Sequence, residues 1–335
     1  MSFSDSSNSR FKLFSLLAEA YPKTVPGRLL TESMGITRQA VFKLVAALRE
    51  EGLEIESNPQ KGYALNNLYE TDSLSQTLID YLLKDDHVFT KCISLPEVNS
   101  TQLVIKKLAV QDAPQGMVAV SERQTHGRGR RGREWSSPRG KNLYFSVLLR
   151  PKLAYGDIQL LNLAASLAVR GALEEDYGVA AEIKWPNDVL ASGKKICGIL
   201  SEAAGEPDRV YHIVTGVGVN VNLAREDLSH EIAETATSVF MESGKTAARP
   251  LLLARIFSRL SAFIEMLGAK NGKTRLLRFY RENCATLGKE VIIIEDDKKY
   301  LGIARDITEQ GAIIVSVDGV DKIFAAADVR HLRAA

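Results

Sequence analysis

The chain has 335 residues, of which 43 are Lys or Arg and 41 are Asp or Glu, so its formal net charge is only +2. Apolar residues make up 45% of the sequence and charged residues 25%, which is the composition of an ordinary globular protein and excludes a disordered, collagen-like or coiled-coil chain. Because one domain usually takes roughly 100 to 200 residues, the length predicts two or three domains with more than one hydrophobic core.

The sequence also predicts where the protein works and the state of its cysteines. No stretch approaches the roughly 18 uncharged apolar residues that span a bilayer. Near the amino terminus, Glu19 interrupts the apolar length that a signal peptide needs, so a cytoplasmic protein with no membrane partner is expected. The cysteines are far apart and have no CxxC partner, which argues against a disulfide framework or a thiolate zinc site, and no metal site is predicted. We expect all three to be reduced and buried: Cys92, Cys197 and Cys284.

The first segment carries the pattern of two helices that meet across a tight turn. Apolar residues recur at helical spacing over residues 11–18 and again over residues 40–48. Between these runs, Gly35 suits the left-handed residue that ends one helix, and Thr37 is a natural N-cap for the next. The turn then has about three or four residues, which predicts a helix-turn-helix.

A β-wing is predicted directly after the second helix, where LEIESNPQKGYAL reads as two short strands around a turn at residues 58–60. Residues 1–66 contain 8 Lys/Arg and 7 Asp/Glu, and many small three-helix units have this pattern without touching DNA. Basic residues nevertheless fall near the start of the second helix, where base and phosphate contacts are usually made, so DNA binding is the favoured interpretation. The candidate DNA-binding residues are Thr37, Arg38, Gln39 and Lys43.

The rest of the chain predicts two further domains, and the polar stretch at residues 66–72 is the predicted linker in front of them. Strand-like runs at 117–122, 142–150, 181–185, 195–203 and 211–222 alternate with helical patterns at 101–110, 158–177 and 250–267. The last fifty residues contain only short strands separated by turns, which indicates a small β-barrel. The predicted fold is therefore an α/β multidomain protein, with a winged helix-turn-helix over residues 1–66, a central mixed α+β domain over 67–283 and a β-barrel over 284–335.

The most unusual local composition is an arginine-glycine loop, QTHGRGRRGREW, which begins at Gln124. Residues 121–150 contain 8 Lys/Arg and 2 Asp/Glu, a local charge of +6 in a nearly neutral protein. Arginines that alternate with glycines allow close backbone approach to a ligand and bidentate contacts to phosphate, and such a loop is expected to be mobile without its ligand. A nucleic-acid-binding RGG-like patch and a solvated basic loop are the alternative interpretations.

Two further motifs place polar groups next to strands. The string KWPNDVLASGKKICGILSE predicts a hairpin in which Asn187 and Asp188 meet a ribose, a metal ion or an adenine. Lys195 begins an apolar strand, where its ammonium can face a developing negative charge or, in the simpler reading, solvent. The string GVGVNVN at residues 216–222 puts glycines at a strand end, which permits ligand approach but is also common where strands only pack.

Taken in order, GRGRRGR, KWPND, KKICGIL and GVGVN resemble the biotin protein ligases, and together with the winged helix the chain resembles the bifunctional ligase and biotin operon repressor type over almost its whole length. The resemblance implies an SH3-like C-terminal barrel. It also implies a two-step reaction, in which biotin and MgATP give biotinoyl-5′-adenylate and pyrophosphate, and a lysine of the biotin carboxyl carrier protein then takes the biotinyl group. Implied partners are that carrier protein, operator DNA of biotin genes and a second copy of the chain in a ligand-promoted homodimer.

The resemblance implies site residues at the positions that match the family's motifs, with Lys195 and Arg130 in the catalytic role. The implied biotin contacts are Ser100, Thr101, Gln102, Gln124, Arg128, Gly129, Arg130, Lys195 and Gly198. The implied ATP and adenylate contacts are Arg128, Arg130, Arg133, Trp135, Asn187, Asp188, Lys195 and Asn220. One departure is Gln102, which stands where the family has Asn, and the N-cap role expected of Ser100 does not depend on that exchange.

Two alternatives stay open at this point. A lipoate ligase uses the same implied fold and adenylation chemistry, although that family lacks the arginine-glycine loop as it is written here. A DNA-binding regulator whose large domain only senses a metabolite is of another class, and the complete arginine loop together with Lys195 argues against it.

Overall fold

The computed structural model describes residues 3–151, 154–206, 209–295, 298–325 and 327–331. Within these residues the strands form three sheets, which have two, seven and five strands from the amino to the carboxyl end of the chain. The predicted α/β multidomain architecture is confirmed at this level. The domain boundaries at residues 66 and 283 stay predictions.

Three helices and a hairpin form the first unit. The elements are α1 (Phe3–Ala20), α2 (Gly27–Met34), α3 (Arg38–Glu50), β1 (Ile55–Asn58) and β2 (Gly62–Leu65). The apolar faces of the helices meet in a core that includes Phe14, Val45 and Leu48, each fully buried. The predicted winged helix-turn-helix is therefore present.

Local backbone chemistry fixes the turn between α2 and α3. Gly35 has a φ of 67°, in the left-handed region, and its N–H donates to the backbone oxygen of Thr31. The Oγ1 of Thr37 accepts a hydrogen bond of 3.2 Å from the N–H of Ala40, which satisfies one of the free donors at the start of α3. Both roles predicted for these residues are confirmed.

The stretch predicted as a linker is held by specific contacts. The Nε of Arg249 in the central unit donates to Asp72 over 2.9 Å, and the Arg249 side chain is only 3% exposed. A short helix, α4 (Gln76–Leu82), follows, and it places Leu78 in the core of the first unit and Ile79 in the core of the central unit. The connection between the units is therefore structured. The local composition of residues 66–72 does not indicate this, because the contacts are made with residues far along the chain.

A seven-stranded sheet dominates the central unit. Its elements are β3 (Lys91–Leu95), α5 (Thr101–Val110), β4 (Met117–Ser121), β5 (Leu143–Leu149), α6 (Gln159–Tyr177), β6 (Ala181–Lys184), β7 (Asp188–Ala191), β8 (Lys194–Glu206), β9 (Arg209–Val219), α7 (Val239–Ser243), α8 (Arg249–Gly268) and α9 (Gly272–Asn283). The strand order is β3-β4-β5-β9-β8-β7-β6. Only the pair β3 and β4 is parallel among the described strands of this sheet.

Helices cover both faces of this sheet. The helix α5 packs against Ala119 and Leu148, whereas α6 and α8 share a core with Val118 and Val147. Neighbouring residues of one strand point to opposite faces, so the two helical layers lie on opposite sides. The candidate site lies on the α5 side.

One strand of the sheet is missing from the sequence prediction. The string from Lys184 to Glu202 predicts a single hairpin, but the structure places β7 between the Pro186 turn and the turn at Ser192 and Gly193. Both residues of the second turn have positive φ, 49° and 73°. The hairpin is therefore a meander of three strands, because two tight turns lie close together in the chain.

The third unit is a five-stranded antiparallel sheet. Its strands are β10 (Glu290–Glu295), β11 (Lys298–Ile307), β12 (Ile313–Val317), β13 (Val320–Phe324) and β14 (Asp328–His331), in the order β13-β12-β11-β10-β14. The strand β14 adds to the four that the sequence predicts. A β-rich C-terminal unit is confirmed, and its closure into an SH3-like barrel stays a prediction.

The three cysteines are free and buried, as predicted. Burial raises the pKa of the Cys197 thiol well above its ordinary value, which keeps this side chain protonated and unreactive. Among the described helices, none combines the length and apolar character needed to cross a membrane.

Candidate active site

Glycines form the floor of the site on the α5 face of the sheet. Gly198 of β8 and Gly218 of β9 are direct partners across the ladder. A Cβ added to Gly218 would lie 2.5 Å from the Nε1 of Trp135, and one added to Gly216 would lie 2.5 Å from the Oε1 of Gln102. Only glycine therefore lets these two side chains lie against the backbone. We call Gly198, Gly216 and Gly218 the glycine floor. Two of them belong to the predicted GVGVN motif, and the close approach of side chains explains why this motif contains glycine.

One end of the floor is bounded by the start of α5. The Oε1 of Gln124 accepts hydrogen bonds from the backbone N–H of Thr101 at 2.9 Å and from its hydroxyl at 3.2 Å. The Nε2 of Gln124 donates to the Oγ of Ser137 over 3.1 Å. Two residues implied to hold biotin, Thr101 and Gln124, are thus in direct contact.

The N-cap role expected of Ser100 needs correction. Ser100 does occupy the N-cap position of α5 and is buried, but its side chain makes no capping hydrogen bond. The carboxamide of Gln124 takes the first free N–H of the helix instead. Sequence spacing alone gives no sign of this, because Gln124 lies more than twenty residues further along the chain.

Gln102 is oriented by a neighbouring carboxylate. Its Nε2 donates to Glu202 over 2.5 Å and to the backbone oxygen of Leu200 over 3.3 Å, and Glu202 also pairs with Lys106 at 2.7 Å. These contacts occupy the amide donor of Gln102 and leave its Oε1 beside Gly216. The residue that departs from the family's Asn therefore presents an acceptor, and not a donor, to the floor.

The other end of the floor carries a cation beside an aromatic ring. The Nζ of Lys195 lies 2.6 Å from Asp188 and 5.4 Å from the ring centre of Trp135, within range of a cation–π contact. A Cβ on Gly198 would lie 3.1 Å from the same Nζ. Lys195, Asp188, Trp135 and Gly198 are thus brought together, and the partly exposed Lys195 ammonium is paired with a carboxylate at the floor and not only with solvent.

The arginine-glycine loop has the conformation of a short hairpin. The N–H of Gly129 donates to the backbone oxygen of Arg133 over 2.7 Å, and the N–H of Trp135 donates to the oxygen of Gly127 over 3.0 Å. Arg131 and Gly132 have φ values of 53° and 72°, so the tip of the hairpin lies in the left-handed region that favours glycine. The hairpin directs Trp135 onto the glycine floor.

A single carboxylate from the third unit forms ion pairs with three arginines of this loop. Asp328 lies 4.0 Å from Arg130 and 3.8 Å from Arg131, and it accepts a hydrogen bond from Arg133. Burial lowers the pKa of Arg130, while the negative charge of Asp328 opposes that shift. The contact offsets the mutual repulsion that a run of arginines creates, and it links the third unit to the site.

Arg130 also contacts the turn before β7. Its NH1 donates to the Oδ1 of Asn187 over 3.3 Å and to the backbone oxygen of Ala327 over 3.2 Å. The Nδ2 of Asn187 donates to the backbone oxygen of Ile199 over 2.7 Å. The structure therefore brings Arg130 and Asn187 together at the edge of the site, next to Asp188.

Two residues implied to contact the ligand stand apart from this cluster. Arg128 is exposed and takes part in a backbone bridge with Glu134. Asn220 is only 6% exposed, and its carboxamide accepts from Asn142 and donates to the backbone oxygen of Thr237. A nucleotide contact by Asn220 would require these internal bonds to be exchanged.

The candidate DNA-binding residues lie at the start of α3. Arg38, Gln39 and Lys43 are exposed, whereas the Thr37 side chain is used as the N-cap. Thr37 therefore positions the helix, and the other three present their side chains outward.

Several residues of the site are absent from the sequence prediction. These are Ser137, Glu202 and Asp328, which have no sequence signal because each is a single polar residue whose partner lies at least 13 residues away in the chain. Gly216 and Gly218, in contrast, belong to the GVGVN motif that the sequence predicts.

Fold and site together define a class of protein: a winged helix-turn-helix joined to a mixed α/β unit that holds a cationic, glycine-floored ligand site. The sequence profile of the Biotin/lipoate A/B protein ligase family matches residues 94–220, an HTH domain profile matches residues 9–64, and the Biotin protein ligase C terminal domain profile matches residues 286–332. The chain belongs to the family of the bifunctional ligase/repressors, as its relatives show.

Two of these relatives match over nearly their whole length. The Bifunctional ligase/repressor BirA of Bacillus spizizenii is 31% identical, with 96% of this chain and 98% of the relative covered. The protein of the same name from Escherichia coli is 30% identical, with 95% of each chain covered. Among solved structures, a biotin protein ligase from Aquifex aeolicus in complex with biotin and ATP is 31% identical, has a TM-score of 0.64, and covers 73% of this chain and 100% of its own.

Proposed function

We propose that this protein is an ATP-dependent biotin protein ligase and a repressor of biotin genes. The ligase forms biotinoyl-5′-AMP from biotin and ATP and transfers biotin to a lysine of the biotin carboxyl carrier protein. The adenylate then serves as co-repressor. Family membership supports both activities. The observation that carries the ligase assignment is the position of Lys195 at the glycine floor, beside a loop in which three arginines contact one carboxylate.

The first step joins two anions, so cations at the site have a defined task. A carboxylate oxygen of biotin attacks the α-phosphorus of ATP, the bond to the β-phosphate oxygen breaks, and pyrophosphate leaves. Lys195 and Arg130 are the proposed catalytic residues because they can stabilise the charge that builds up on the α-phosphate. Mg²⁺ is proposed to accompany ATP and to neutralise its phosphates.

The polar groups around the floor suggest how the ligands divide the site. Thr101, Gln102 and Gln124 are proposed to bind the ureido ring of biotin with Ser100, and the buried acceptor of Gln102 suits a ureido N–H. Trp135 is proposed to cover the adenine, since its indole already lies on glycine backbone. The remaining proposed contacts come from the loop, from the β6–β7 turn and the start of β7, from β8 and from the end of β9: Arg128, Gly129, Arg133, Asn187, Asp188, Gly198 and Asn220.

In the second step, an uncharged lysine amine of the carrier protein attacks the acyl carbon of the adenylate. The new amide bond forms as the acyl–phosphate bond breaks, AMP leaves and the attacking amine releases one proton to solvent. No enzyme nucleophile is needed, so the contribution of the site is orientation and the exclusion of water from a mixed anhydride. Because ATP, the carrier protein and DNA all take part, the proposed location is the cytoplasm.

A lipoate-type ligase is the second candidate function, and the family description includes lipoate ligases. Exchange of labelled pyrophosphate into ATP separates the two, because it reports formation of the adenylate alone. We expect exchange that depends on biotin and not on lipoate. Exchange with lipoate only would overturn the biotin assignment, and the absence of exchange with either acid would favour a regulator without ligase activity.

Regulation is proposed to operate through pairing of two copies on palindromic operator DNA. The winged helix is nearly neutral in charge, and one copy can contact only a short stretch of bases. Tight and specific DNA binding therefore needs two copies of the chain. Ordering the site around the adenylate in advance lowers the entropic cost of assembly. Unmodified carrier protein would oppose pairing because it consumes the adenylate.

Biotin plus ATP, but not ATP alone, is therefore expected to shift the protein from monomer towards dimer in sedimentation experiments. The same addition should raise its affinity for DNA upstream of biotin genes. An unchanged oligomer, together with unaltered biotin-gene expression after removal of residues 1–66, would leave only the ligase half of the proposal.

A further inference from the structure

The outward face of α3 carries an exposed aromatic residue among basic and polar ones. Phe42 is 61% exposed, while its neighbours Val41 and Val45 are buried in the core of the first unit. Phe42 lies three residues after Gln39 and four after Arg38, so all three share one side of the helix. Among the described residues, Phe42 belongs neither to that core nor to the apolar side chains packed against it.

The placement of Phe42 differs from that of an ordinary surface residue. It lies in the amino-terminal half of the second helix of a helix-turn-helix, the part that normally enters the major groove of DNA. Lys43 follows it directly, and Arg38 opens the helix. A cationic rim around an apolar side chain complements a polyanionic duplex, whose phosphates flank an edge of bases.

We propose that Phe42 reads thymine in the operator, by contact with the 5-methyl group in the major groove. This rests on the proposed DNA-binding function and adds a base-specific role to it. Of the four bases, only thymine displays an apolar group in the major groove, and phenylalanine is one of the side chains that contacts it. Arg38 and Lys43 then supply phosphate contacts, and Phe42 supplies discrimination between sequences.

The local structure keeps this face accessible and in place. Thr37 caps α3, which fixes the start of the helix. In the wing, the Oδ1 of Asn58 accepts hydrogen bonds from the N–H groups of Gln60 and Lys61 at 2.9 and 3.0 Å, and Lys61 is exposed at the tip. A helix and a wing that both carry exposed cations are suited to lie against one duplex.

Uracil substitution isolates the proposed contact, because uracil differs from thymine only by the methyl group. Full-length protein with biotin, ATP and Mg²⁺ is used to select duplexes from a random library, and each thymine of the selected site is then replaced by uracil. For the unmodified protein we expect a loss of about fourfold in affinity at one or more positions, the equivalent of burying one methyl group at about 0.8 kcal/mol. Phe42→Ala should bind thymine and uracil DNA equally at those positions, and Phe42→Leu should keep part of the difference.

The control is Val110→Ala, which shortens an apolar side chain that is 82% exposed on α5 and should alter neither affinity nor the thymine preference. Unchanged biotin-dependent pyrophosphate exchange by Phe42→Ala shows that the central unit is folded, and an unchanged cooperative unfolding transition followed by circular dichroism shows that the first unit, which has its own core, is folded as well. If uracil weakens binding equally in the unmodified protein and in Phe42→Ala, or in neither, the thymine contact is refuted although DNA binding stands. If Phe42→Ala alters only the sedimentation of the dimer, the face contacts a second copy and the proposal is wrong. Failure to select any duplex would overturn the repressor function itself.

Discussion

Replacing Lys195 with alanine is expected to lower the rate of adenylate formation by about 10²- to 10³-fold, the range typical of a lost electrostatic contact to a developing anion. The ammonium lies 2.6 Å from Asp188 and beside Trp135, on the floor where we place the reacting groups. Without it, Asp188 loses the ammonium that pairs with it at the floor. Biotin-dependent pyrophosphate exchange measures the effect directly.

The matched control is Lys194→Ala, one residue earlier on the same strand, where the side chain points to the opposite face of the sheet. It removes the same charge and is expected to leave exchange within about twofold, because its ammonium is not directed at the site. Lys195 and Asp188 are 34% and 22% exposed, so loss of the pair should change the free energy of unfolding by less than about 1 kcal/mol. Near-normal exchange by Lys195→Ala would remove Lys195 from the catalytic residues.

Replacing Asp328 with asparagine is expected to weaken ATP binding about tenfold while leaving the binding of free biotin nearly unchanged. Its carboxylate holds Arg130, Arg131 and Arg133 in one cluster, and three partly exposed pairs together contribute about 1.4 kcal/mol. Three arginines and one carboxylate leave a net charge of +2 in the cluster, so its electrostatic potential favours phosphate binding. Calorimetric titration with a non-hydrolysable ATP analogue and with biotin separates the two affinities.

Asp321→Asn is the control for this substitution, because Asp321 is an exposed carboxylate on β13 of the same unit. It should leave both affinities unchanged. Tighter ATP binding by Asp328→Asn would show the opposite role, in which the carboxylate competes with phosphate for the arginines. Equal weakening of ATP and biotin binding would indicate general damage to the loop.

Features that depend on local chemistry follow from the sequence. The apolar spacing along α1 and α3, the left-handed Gly35 and the capping Thr37 each involve residues within one or two turns of one another. The glycines of β9 are likewise visible as a repeat, and the structure supplies the reason, since Trp135 and Gln102 cover them. Of the residues that the resemblance implies, Lys195, Asp188, Trp135 and Gly198 lie together in the structure, whereas Arg128 and Asn220 stand apart from them.

Features that depend on distant partners do not follow from local sequence. Asp328 reaches the arginine loop across almost 200 residues of chain, and nothing in its neighbourhood distinguishes it from any acidic residue near a strand. Gln124 replaces the cap expected from Ser100 for the same reason. Glu202 orients Gln102 although their strand and helix are about 100 residues apart. These contacts arise from tertiary packing, which spacing along the chain does not encode.

Attachment of biotin to a carrier protein can be observed by intact-mass spectrometry of the carrier. Full-length protein is incubated with biotin, ATP, Mg²⁺ and a biotin carrier domain, with a carrier whose target lysine is replaced by arginine as the control. We expect that the carrier gains the mass of one biotinyl group, that the control carrier does not, and that Lys195→Ala protein gives no modified carrier over the same time. An unmodified carrier in the presence of the unaltered protein, or a carrier modified by lipoate in place of biotin, would contradict this expectation.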